Sequence, residues 1–240
     1  QVKENVIYTE MFLGPHLWSD RPDDRWERFL KIAKNVADEY EKKYGVYTYF
    51  IIVCIRHLGP EKALEASKFA SNVKNKNVVG FGMAGDENKF NVSDFTESFN
   101  FARKSGLGIT AHAGEICGAK SVDEAIELGV TRIGHGVRSY ESDETIMKLL
   151  EKNILLEICP GSNIALGLYP SLDKHPINFL LNKKLPISIS TDDPPFFSTT
   201  LSKEYRNLHD VFGWREEIFN KINRQSLEFA FCESSLKEKL

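Results

Sequence analysis

Residues 107–115 read Leu-Gly-Ile-Thr-Ala-His-Ala-Gly-Glu. A short apolar run ends by delivering His112, two small residues leave the backbone room, and Glu115 follows three positions later. A run this short is a strand rather than a helix, and its near-continuous apolar character is that of a strand covered on both faces. The same layout recurs along the chain, with further apolar runs at residues 6–13, 48–55, 78–84, 132–137, 155–159 and 185–190.

Helix candidates lie between the runs. Asp23 and Asp24 precede residues 25–44, and Pro60 opens residues 61–74 at the favoured first-turn position. Ser93 and Asp94 precede a stretch reaching Lys104, and Ser121 with Glu124 reads as a capping box before residues 122–128. Gly45, Gly106 and Gly129 stand where these helices should stop. After Asp193 the tail is helical, with residues 202–212 and 216–231 the best segments.

Alternating strands and helices predict a parallel sheet with crossover helices. Seven strands can be counted, and an open doubly wound sheet would satisfy that count. The polar residues decide against it. Gly85, His112, His135 and Asp192 fall at the C-terminal ends of different strands, where (β/α)8 barrels build their sites. The expectation is α/β, a TIM-type (β/α)8 barrel with its first strand absent from this sequence. It forms one domain over residues 1–240, with C-terminal helices from about residue 199.

The 240 residues carry a formal charge of -3, with 42% hydrophobic and 27% charged residues, an ordinary soluble balance. No basic run could track a phosphate backbone, which argues against nucleic acid as a partner. No apolar stretch is long enough to span a membrane, and the first residues lack the layout of a signal peptide. Cys54, Cys117, Cys159 and Cys232 form no C-x-x-C pair and suit a reducing, cytoplasmic setting.

Two further motifs join His112 and Glu115. Residues 132–137, RIGHGV, place His135 between glycines inside a strand, a pattern that often marks close approach by a ligand or another backbone. Residues 187–195, ISISTDDPP, end a strand on Asp192 and Asp193, held by two prolines. Singly these could be a packed histidine, a relief of crowding and a turn. Together, two histidines, a glutamate and two aspartates on separate strand ends converge in a closed barrel as a hydrolytic metal site would.

These residues also carry a resemblance. HAGE at 112–115, GHG at 134–136 and STDDP at 190–194, with AGDE at 84–87 and CPGSN at 159–163, resemble the adenosine deaminase family in order and strand placement. The resemblance implies one zinc ion per chain, with His112 and Asp192 as ligands. It implies that His135 orients and deprotonates the attacking water and that Glu115 protonates purine N1. It further implies that Asp193, itself protonated, holds N7 and that the Gly85 N–H binds N3. The implied reaction converts adenosine, with 2′-deoxy or 5′-modified relatives as further substrates, to inosine and ammonia in purine salvage. The partner is then a small-molecule purine nucleoside. The alternatives are a deaminase of another 6-aminopurine (adenine, AMP or methylthioadenosine) and a non-catalytic purine-binding relative.

The sequence departs from the family pattern in three places. It contains no His-x-His, the motif that the family's first strand carries, and one strand fewer than expected, so an N-terminally truncated sequence is the expectation. Gly82 stands where an acid is expected. Ile55, ending the second run, is either a pocket residue on the sugar side or plain core.

Overall fold

The structure is a computed structural model that describes residues 1–19 and 24–240. It divides into two compact units, residues 1–111 with 230–240, and residues 112–229.

The first unit runs β1 (Tyr8–Leu13), α1 (Asp24–Tyr44), β2 (Tyr47–Ile55), α2 (Pro60–Asn72), β3 (Val78–Ala84), α3 (Thr96–Lys104) and the start of β4 (Gly108–Ala113). Neighbouring strands pair in parallel, Leu13 opposite Ile52, Ile55 opposite Ala84 and Gly80 opposite Gly108. All of the last six residues of β2 are buried, which is why the run reads as continuous rather than alternating. In α1, Asp24 and Glu27 stand in the first turn and Lys42 and Lys43 in the last, complementing the helix dipole. Its inward face carries Trp26, Leu30 and Ala37, and the Trp26 ring meets Phe69 of α2 edge-on at 5.2 Å. The cap expected at Asp23 lies outside the described residues.

Phe231 closes the base of this unit. Its ring lies against Gly80 and Gly108, where an added β-carbon would come within 2.8 and 2.2 Å of it. The Phe231 N–H donates to Glu10 at 2.6 Å, fixing the chain end that carries the ring. Gly82 is more mildly crowded, its β-carbon position 3.0 Å from Thr110 and 3.1 Å from Val53, so a side chain there requires these neighbours to give by a few tenths of an ångström. Ile55 is buried and belongs to a core cluster with Ile51 and Val53, against which Phe12, Ala84 and Phe231 pack. A last short helix, residues 234–239, belongs to this unit.

The second unit continues with α4 (Ala119–Glu127), β5 (Arg132–His135), α5 (Asp143–Glu151), β6 (Leu155–Ile158), α6 (Pro160–Ala165), α7 (Ile177–Asn182), β7 (Ile187–Ile189), α8 (Pro194–Phe197), α9 (Leu201–Phe212) and α10 (Glu216–Glu228). Its strands are again parallel, Ile133 opposite Leu156 and Ile158 opposite Ile189. The repeated strand–helix unit is that of the TIM-type (β/α)8 barrel, with seven strands among the described residues.

Two capping expectations are corrected. Helix α4 begins at Ala119 after Gly118, and Ser121 sits inside it. The Ser121 hydroxyl instead accepts the N–H of Gly114, a tertiary contact that local pattern does not reveal. Ahead of α3 the capping box belongs to Asn91 and Asp94, which close a 3-10 turn at Val92–Phe95. Gly45, Gly106 and Gly129 do end their helices, all with positive φ. No described helix is long and apolar enough to cross a membrane.

Candidate active site

His112, Glu115, His135, Asp192 and Asp193 all belong to the second unit. His112 is the penultimate residue of β4 rather than the residue after the strand. Its ring lies over the backbone of β5, and a β-carbon on Gly134 would stand 2.3 Å from Cδ2. The close neighbour of Gly134 is thus this imidazole side chain rather than the ligand or backbone expected there. Beyond β4 the chain turns at Gly114 (φ +71), where a side chain would strike Val122 at 2.5 Å, and the turn presents Glu115.

His135 ends β5 with φ 61, a left-handed conformation that a non-glycine residue adopts only when its surroundings impose it. The ring meets His112 edge-on, with centroids 4.8 Å apart. Its Nδ1 lies 3.6 Å from Glu115 Oε1 and its Nε2 3.9 Å from Asp192 Oδ2. Burial, aided by the nearby His112 and His175 rings, holds its pKa well below that of an ordinary imidazole, so the ring is neutral.

Asp192 follows β7 and also has positive φ, 56°. The Asp192 carboxylate accepts the Ser162 hydroxyl at 2.7 Å. Burial and the Asp192 charge push the pKa of Asp193 up, against an opposing pull from His112. The loops that carry these groups are tied together by Glu204 of α9. This buried carboxylate accepts the Gly161 N–H at 3.0 Å and the Thr199 hydroxyl.

Two overlapping sets of donors could hold a metal ion: His112, Glu115 and His135, and His135, Cys159 and Asp192, each within 4.8 Å. Burial and the carboxylates around it push the Cys159 thiol well above its usual pKa, and it donates weakly to the Glu157 carbonyl, so it is a protonated neighbour. The remaining donors are imidazole and carboxyl groups, the set that suits zinc and similar divalent ions. The residues fit such an ion.

Gly85 belongs to the first unit, directly after β3. Its φ is +98, and a β-carbon on it would stand 3.0 Å from His57 Nδ1, which together explain why glycine occupies this position. Sequence reasoning gave no role to Ser162, Asn163 or His175. Asn163 contacts Glu115, His135 and His175 at once. The CPGSN segment following β6 was the available signal for the first two, since polar residues there stand at a strand's C-terminal end.

The sequence profile of the family described as Adenosine deaminase matches residues 1–240. Adenine deaminase of Agrobacterium fabrum is 40% identical over 238 residues, covering 98% of this chain and 73% of that protein. Among solved structures, adenine deaminase from Arthrobacter aurescens superposes with a TM-score of 0.90 at 25% identity, over 99% of this chain and 72% of that one. An Arabidopsis N6-mAMP deaminase gives a TM-score of 0.84 at 26% identity, over 98% of this chain and 72% of that one. By sequence over residues 1–240 and by fold, the chain belongs to the adenosine deaminase family.

Proposed function

We propose that this protein hydrolytically removes the 6-amino group of a purine, with adenine the first substrate to test. The observation that carries the chemistry is the cluster in which His112, Glu115, Asp192 and their loops meet around one neutral, buried histidine, His135. The choice of base is supported by the relatives, the curated ones at 36–40% identity being named adenine deaminases. The sequence alone favoured adenosine; the relatives favour the alternative reading of another 6-aminopurine.

In this reading His112 and Asp192 help to hold a zinc ion, which when bound would lower the pKa of water to roughly 7 and so supply a nucleophile at neutral pH. Neutral His135 orients the attacking water; its Nδ1 accepts from Asn163 and its own proton sits on Nε2, so the water's proton passes to the leaving amino group rather than to this ring. Glu115, beside it at 3.6 Å, delivers a proton to the ring nitrogen next to the reacting carbon. Asp193, whose proton is held more tightly than an ordinary carboxyl's, donates a hydrogen bond to N7. Four free cysteines accord with work in a reducing cytoplasm.

The test is ammonia release from adenine, adenosine, AMP and N6-methyl-AMP, with metal content measured on the same sample. Turnover of adenine well above the others is expected. Turnover of adenosine or a nucleotide instead would reassign the substrate, and turnover of none by zinc-loaded protein would overturn the deaminase reading.

A further inference from the structure

Asn163 is wholly enclosed, and so is His175 but for 3% of its surface. Between them runs a chain of hydrogen bonds in which each partner's role dictates the next. The Ile177 N–H donates to His175 Nδ1 at 3.1 Å. A backbone N–H can only donate, so Nδ1 carries a lone pair and the neutral ring carries its proton on Nε2. That Nε2 lies 3.1 Å from Asn163 Oδ1, which accepts. The amide is thereby fixed in one of its two flips, its NH2 turned the other way.

The NH2 group meets both the carboxyl that would deliver a proton and the histidine that would orient the water. Asn163 Nδ2 lies 3.3 Å from Glu115 Oε1 and 3.3 Å from His135 Nδ1. Two N–H bonds on one nitrogen match one carboxylate oxygen and one imidazole lone pair. With Nδ1 of His135 accepting, that ring turns its Nε2 edge toward Asp192. The opposite flip would set the amide oxygen against the Glu115 carboxylate and break both contacts.

We infer that Asn163 and His175 are positioning residues of the reaction: one amide, locked by His175, holds Glu115 and His135 in mutual register. His175 acts without touching substrate, through a lever that starts at the Pro176–Ile177 entry to α7. The consequence for turnover rests on the deaminase reading above, whereas the arrangement of protons does not.

The test therefore has two arms. In the first, long-range proton–nitrogen NMR correlations on 15N-histidine-labelled protein, with His175→Gln to assign the signal, read the His175 tautomer. A proton on Nε2 is expected, and a proton on Nδ1 would overturn the inference. In the second, kinetics are measured on His175→Phe, His175→Gln and Asn163→Asp with the best 6-aminopurine substrate. Asn163→Asp keeps the acceptor for His175 and loses the NH2, so kcat should fall about 100-fold with KM changed by no more than about threefold. His175→Phe should lose about tenfold in kcat, and His175→Gln, which retains a donor for Asn163 and an acceptor for Ile177, should recover most of it. A structural role alone would lower melting temperature and leave kcat per folded molecule unmoved. That result, or a glutamine variant no better than phenylalanine, would overturn the inference. If no purine is turned over, the function reading fails by itself and the tautomer decides this one.

Discussion

The His112 imidazole lies so close to Gly134 that a β-carbon on the glycine would fall 2.3 Å from Cδ2 and 3.0 Å from Nε2. The position of a candidate metal ligand is therefore set by the absence of a side chain on the next strand. Gly134→Ala must push the ring or the strand aside. We expect bound zinc to fall and kcat to drop by about 100-fold, since displacement of a reacting group by about 1 Å costs that much. Metal analysis and steady-state kinetics on the purified variant check this, and full metal with full activity would show that the ring relaxes freely.

Glu115 stands 3.6 Å from His135 and accepts from Asn163. Glu115→Gln keeps the shape and an acceptor while removing the transferable proton. Its kcat should fall by roughly 10²- to 10⁴-fold, the range general acid–base catalysis supplies, with little change in melting temperature. A variant retaining wild-type kcat would remove Glu115 from the chemistry.

Ser162 donates to the carboxylate of Asp192 at 2.7 Å. Groups that orient a metal ligand typically contribute 10- to 100-fold to metal affinity, so Ser162→Ala should weaken zinc binding by about that factor. Competition against a chromophoric chelator measures it, and unchanged affinity would show that Asp192 needs no such support.

Burial lowers the pKa of His175 from 6.5 to about 4. The folded protein keeps this imidazole neutral while the unfolded chain protonates it more readily. Its contribution to stability is therefore fully present above pH 6.5 and is lost as the pH falls through about 4. The linked loss approaches roughly 3 kcal/mol. Denaturant titrations of wild type and His175→Gln at several pH values should show the difference between them shrinking as the pH falls across that window. A constant difference would mean that the imidazole titrates normally.

Phe231 packs on Gly108 with a β-carbon position only 2.2 Å from its ring. Gly108→Ala overfills this joint and should destabilise the protein by about 1–3 kcal/mol, the usual cost of overpacking. Gly106→Ala gives a contrast: nothing lies within 4 Å of its β-carbon position, and its cost is confined to a φ of +84. Thermal unfolding of the two variants separates crowding from backbone strain.

The sequence by itself determined the repeat of strand and helix and the residues at the strand ends, because both are local. Buried parallel strands read as short apolar runs, and helices stop at glycines such as Gly45, Gly106 and Gly129 that take positive φ cheaply. His112, Glu115, His135, Asp192 and Asp193 were legible since a polar residue ending an apolar run stands out. Only the tertiary structure decided what those residues meet. Ser121 looked like a helix cap and instead holds the Gly114 turn, and Gly134 looked like room for a ligand and instead admits His112. The amide of Asn163 joins residues 115, 135 and 175, which are far apart in the chain. A hydrogen-bond partner is specified by distance and direction in space, and neither is written in the spacing along the sequence.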